Sequence, residues 1–97
     1  IGDINEYLAP KEFALSNAYP NPFNPTTTLD LSLDQNEFVS VKVYNVVGQV
    51  VTTLANEQMK AGRYALTWNA SDVASGMYFV KVETGSNVAV QKIMLMK

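Results

Sequence analysis

The chain has 97 residues, of which 47% are apolar and 16% charged, with a net charge of −2. That is the size of one domain with enough apolar side chain for a core, and it is too apolar for disorder throughout. It contains no cysteine and no histidine, which removes disulfides, thiolate zinc sites, catalytic thiols, the Ser-His-Asp triad and the usual general base.

Residues 1–12 read as a polar, acidic linker, broken by Pro10 and too short for a stable helix of its own. The domain proper spans 13–97. An extended segment over Phe13 to Tyr19 leads into Tyr19-Pro20-Asn21-Pro22-Phe23-Asn24-Pro25. Three alternate prolines there exclude helix and central strand and leave a stiff crossover. Phe23 is the one large apolar side chain between its last two prolines, and the expectation is that it plugs one end of the core. From Thr26 the pattern has period two. Leu29, Leu31 and Leu33 alternate with polar residues, then Val39, Val41 and Val43 do the same, and a turn at Gln35-Asn36-Glu37 suggests a hairpin. Gly48 marks a turn or bulge, 49–54 reads as a strand and 55–61 as a polar loop. Gly62 opens a strand with Tyr64, Leu66 and Trp68 on one face. Residues 69–76 are loop-forming by composition. A strand over 77–84, a tight turn at Gly85-Ser86-Asn87 and a last strand over 87–96 complete the chain. About seven short strands spaced near ten residues apart predict an all-β, immunoglobulin-like β-sandwich without the cysteine pair.

Charge is uneven. Residues 1–37 hold six acids and one base, whereas 38–97 hold six bases and three acids. The acidic whole argues against nucleic acid as a partner, while the uneven spread reads either as chance in a small sample or as a mildly basic C-terminal half that meets some other partner. No apolar run approaches the ~18 residues of a membrane span. The start at Ile1 rather than Met reads as a piece of a longer precursor.

Few residues offer chemistry. Asp30 and Asp34 on an outward strand face lack the further oxygens a cation needs, and Asn69, Ser71 and Asp72 read first as a side-chain-capped turn and second as a calcium loop. The Asn69-Ala70-Ser71 sequon match is read as accidental. No carboxylate pair has a third group behind it, so glycosidase-type chemistry is not expected. Tyr44, Tyr64, Trp68 and Tyr78 are core or girdle residues in the plain reading and a sugar-binding face in the sharper one. Neither a cofactor nor a metal is implied.

Several motifs, in order, resemble one family. Asn17 to Thr28 (NAYPNPFNPTTT) is similar to the opening motif of the type A C-terminal sorting domain of type IX secretion. Val41 to Val51 (VKVYNVVGQVV) resembles its central motif, 61–64 (AGRY) and 75–82 (SGMYFVKV) the next two, and 91–97 (QKIMLMK) its basic end. The matching motif positions are Pro20, Asn21, Pro22, Phe23, Asn24, Pro25, Gly48, Gln49, Gly62, Gly76 and Tyr78. The signature also shades into the immunoglobulin-like domain of flagellar hook-capping proteins, and an end on the last strand favours the sorting domain.

The resemblance implies a non-catalytic signal at the end of a secreted precursor from a Bacteroidetes-like, Gram-negative bacterium. Its partners would be the upstream cargo, the type IX translocon and a sortase, with transient association at the outer membrane. The route would run through the periplasm to the cell surface or medium, followed by removal of the domain or surface attachment. On this reading Lys92, Ile93, Met94, Leu95, Met96 and Lys97 form the recognition element, offered as a strand edge that adds to a partner's sheet. Gly76 and Tyr78 support the fold, and cleavage falls in 1–12. Two other readings are a carbohydrate-binding or adhesion module, which needs an exposed aromatic stripe, and a structural spacer, which works equally well inside a longer chain.

Overall fold

The computed structural model describes residues 12–97. The linker and cleavage expectation over 1–12 therefore lies outside the described residues, apart from the exposed Glu12. The strands are β1 (Ala14–Leu15), β2 (Thr26–Leu33), β3 (Glu37–Tyr44), β4 (Val50–Met59), β5 (Gly62–Asn69), β6 (Gly76–Glu83) and β7 (Val88–Leu95). They form two antiparallel sheets, ordered β1-β2-β5 and β4-β3-β6-β7. This is a β-sandwich. Its fourth strand pairs with the third rather than the fifth, unlike the ABED and CFG sheets of constant immunoglobulin domains.

Alternation explains the core. Leu29, Leu31 and Leu33 of one sheet and Val39, Val41 and Val43 of the other have no exposed surface. Val80, Val82, Ile93 and Leu95 extend the same interior. Each such side chain contributes about 1.5–3 kcal/mol through burial. Phe23, 2% exposed, closes one end as expected. Its ring lies 5.6 Å from Trp68, which in turn meets Tyr78 edge-on at 5.1 Å.

Two expectations are corrected. β2 and β3 do not form a hairpin, because they lie in different sheets and face each other across the core. Their inward leucines and valines satisfy the same period-two pattern whether the strands are side by side or stacked. The short connection 34–36 carries no glycine to make a two-residue hairpin turn. Asn36 instead accepts the Ala61 N–H at 2.8 Å and ties this crossing to the one between β4 and β5. Second, 55–61 is not a polar loop: β4 continues to Met59, which is buried. Register shifts opposite Val41/Lys42 and Val43/Tyr44 break the alternation of β4. As an edge strand it also exposes Asn56, Glu57 and Gln58, which removed the signal for a strand. The first extended segment shrinks to β1 and a single bridge between Tyr19 and Thr28.

Leu31→Ala should cost about 2–5 kcal/mol by leaving a cavity in a close-packed interior. The exposed Val47→Ala should stay within roughly 0.5 kcal/mol of the parent. Urea midpoints measured at constant slope check both, and equal midpoints would contradict the inter-sheet core.

Candidate functional site

The six residues 92–97 do not make one surface. The strand alternates, so Ile93 and Leu95 point inward with 1% and 0% exposure, while Lys92 and Met96 are exposed and Met94 is half-buried on the outer face. Lys97 is exposed beyond the strand. Its N–H donates to Ser75 Oγ at 3.0 Å and its ammonium donates to the Ser71 carbonyl at 2.7 Å.

β7 is an edge strand, as the strand-addition mechanism requires, but the half that carries these residues is not open. Asn21 covers it with its side chain. The Met94 N–H donates to Asn21 Oδ1 at 3.0 Å, and Asn21 Nδ2 donates to the Lys92 carbonyl at 3.1 Å. One residue pair further on, the Phe23 N–H donates to the Met94 carbonyl and the Met96 N–H donates to the Phe23 carbonyl, both at 2.9 Å. An asparagine amide carries one acceptor and a donor group, as a peptide unit does, so Asn21 and Phe23 together act as a short parallel strand. Phe23 bridges Leu95 in that sense. The expectation of a free edge over 92–96 is therefore corrected. Sequence reasoning missed this role for Asn21. It read the prolines flanking Asn21 as removing donors, and nothing in the spacing shows a side chain replacing them.

The other motif positions serve local geometry. Pro20, Asn24 and Pro25 frame the same crossover, in which the three X–Pro bonds are cis. The Pro20 carbonyl accepts from the buried Thr27 hydroxyl at 2.7 Å. Pro22 lies between Asn21 and Phe23 and places one on the edge and the other in the core. Gly48 has φ of +85° and closes the β3–β4 turn, where its N–H donates to the Asn45 carbonyl at 3.0 Å. Asn45 Oδ1 accepts the Val47 and Gln49 N–H groups and its amide donates to Gln49. Gly62 opens β5, and Gly76, with φ of +151°, opens β6 opposite Leu95. No atom crowds a Cβ at Gly76, so its backbone conformation rather than space calls for glycine. The Tyr78 hydroxyl donates to the Ala74 carbonyl at 2.6 Å.

The candidates for other chemistry separate. Asp30 is exposed on the outer face of β2 opposite Ala65, and Asp34 lies past the strand end. Asn69 Oδ1 accepts the Ser71 N–H at 3.0 Å and its hydroxyl as well. The Lys97 ammonium sits on the same loop's Ser71 carbonyl, where a calcium ion would meet a like charge. Among the described residues no group of three acidic, histidine or cysteine side chains converges. Glu37 Oε1 accepts from Ser86 at 2.7 Å, and its buried Oε2 has no partner among the described residues. The four aromatic candidates form no stripe. Trp68 and Tyr78 are core, Tyr64 is half-buried with its hydroxyl on the Lys60 carbonyl, and Tyr44 lies on the outer face of the other sheet. That arrangement speaks against a sugar platform.

Asn21→Ala should remove two edge bonds and cost about 1–2 kcal/mol. It should speed exchange of the Met94 amide roughly tenfold while the inward-paired Ile93 amide follows global stability alone. Asn21→Asp keeps the acceptor and should restore Met94 protection. Equal exchange at Met94 in all three proteins would refute the edge cover.

No curated protein matches the chain at a significant level. A family model described as "Secretion system C-terminal sorting domain" matches residues 17–96.

Proposed function

The chain belongs to the type IX secretion-system C-terminal sorting domains, and from that premise we propose that it acts without catalysis, by presenting the outward side chains of β7 to the translocon. A domain of this family is a C-terminal sorting domain of a secretion system, and on this reading it marks a larger precursor for export across the outer membrane. The translocon would read Lys92, Met94, Met96 and Lys97, carry the upstream cargo through the outer membrane, and hand it to a sortase that removes the domain or attaches the cargo to the surface.

The observation that supports this reading is the division of labour along β7. Its inward residues and its outer edge are committed to the fold, by the core and by Asn21 and Phe23 respectively. The side chains of Lys92 and Met96 are exposed and free of the core, and Lys97 beyond the strand is held only on the loop through Ser75 and Ser71; together they combine positive charge with apolar surface. Methionine is enriched at protein interfaces, and charge at the rim steers the encounter. Addition of a partner strand along 92–96 would first have to displace the Asn21 and Phe23 bonds, so recognition through side chains needs no local unfolding.

This also shapes the experiment. Deleting 92–97 would remove Ile93 and Leu95 from the core and confuse loss of signal with loss of fold. The informative variant replaces Lys92, Met96 and Lys97 by serine in residues 1–97, fused behind a signal peptide and a fluorescent reporter. Export in a type IX-competent host should fall about tenfold or more, equivalent to roughly 1.4 kcal/mol of recognition. A translocon-null sibling should export neither protein. Undiminished export of a folded variant, or equal export from the null strain, would overturn the proposal.

A further inference from the structure

The outward side chains of β7 do not stand alone. Register extends them across the outer face of three adjacent strands of the four-stranded sheet, β3, β6 and β7. Tyr44 of β3 is opposite Phe79 of β6, and Phe79 is opposite Lys92 of β7. In the next row Lys42 is opposite Lys81, and Lys81 is opposite Val90. Beyond it Ser40, Glu83 and Val88 align, and on the other side Met77 is opposite Met94. The result is a continuous face with three lysines against one glutamate, on a chain whose net charge is −2. Val88 and Val90 stay 62% and 52% exposed along it.

Two features of this face have no account in the fold. Like charges directly opposite one another in a sheet are destabilising, and Lys42 and Lys81 are such a pair. Lys81 turns to Glu83 at 3.1 Å, and that hydrogen bond, followed by the carboxylate's charge, raises the pKa of Lys81 against the opposing effect of desolvation. No ion pair to Lys42 or Lys92 occurs among the described residues. The second feature is the half-buried Phe79, with Tyr44, Met77 and Met94 around it, where a solvated sheet face would carry polar residues. An anionic partner that covers the face would relieve the first and bury the second.

We propose that this outer face, centred on Lys42, Lys81 and Phe79, is the docking surface for an acidic surface on a folded protein of the export machinery. The inference rests on the sorting function and extends the contact from the last strand to three strands. Charge complementarity identifies the occupant. A second copy of the chain would set this basic face against itself. Tyr44 and Phe79 are half-buried rather than protruding from the face, which suits a protein surface better than a bilayer.

The test uses the same reporter fusion. Lys42→Glu combined with Lys81→Glu should cut export about tenfold or more, Lys42→Gln with Lys81→Gln should fall between, and Lys60→Glu, a charge reversal at the β4–β5 turn, should export as the parent does. Unchanged thermal melting verifies the fold of each variant. A photo-crosslinking phenylalanine analogue in place of Phe79 should yield a protein adduct in the exporting host. Failure of the parent fusion itself to export would overturn the sorting function. Parent and double reversal exporting equally would overturn the docking face and leave the sorting function standing. So would a crosslink to a second copy of the chain, or adducts absent while the purified domain binds phosphatidylglycerol vesicles through the same lysines.

Discussion

An edge strand has a row of peptide groups with nowhere to go, and in this molecule the answer to that problem organises the rest. The outer edge of β7 is satisfied over Lys92 to Met96 by the Asn21 side chain and the Phe23 backbone. Each such bond contributes about 0.5–1.5 kcal/mol net, and together they hold the crossover in place. Once Asn21 is on the edge, Phe23 falls into the end of the core, against Trp68. Trp68 fixes Tyr78, and the Tyr78 hydroxyl holds the loop before β6 through Ala74. The chain end then docks on the same loop through Ser75 and Ser71. A segment early in the domain thus fixes the conformation of its last residues.

That arrangement divides the last strand by direction. Inward lies the core, sideways lie β6 and the Asn21–Phe23 cover, and only outward is there surface to spare. A signal read in the folded state, as proposed above, must not be consumed by the fold. Alternation in a β-strand supplies both uses from one short stretch of sequence.

Much of this was legible in the sequence where one physical rule acted alone. Strict alternation gave β2, β3, β5 and β6 within a residue or two, and glycines at 48, 62 and 76 marked the turns or strand starts at which their φ values fall. Phe23 was identifiable as a core plug because prolines left it no other apolar neighbour. The misses share a cause. Period two reports which residues face inward but not which strand lies alongside, so β2 and β3 looked paired when they are stacked. The bulges of β4 spoil alternation, so an edge strand looked like a loop. The cover on β7 joins residues 71 to 73 positions apart through a side-chain amide. No local pattern encodes such a contact. The outer basic face was invisible for the same reason, since its lysines come from three separate strands and converge only through register.

The lacing of β7 also bears on how such a signal can be moved. A tail of six residues grafted onto another protein would bring the lysines and methionines but neither the asparagine that occupies their backbone edge nor the phenylalanine beneath them. Grafted alone, that peptide would have no reason to alternate its faces, and its charges would fall on all sides of a flexible end. The smallest piece that keeps this strand's faces apart and its edge covered therefore runs from the crossover through to the last lysine. On the proposed reading the label is written in a few side chains, but the page it is written on is the whole sandwich.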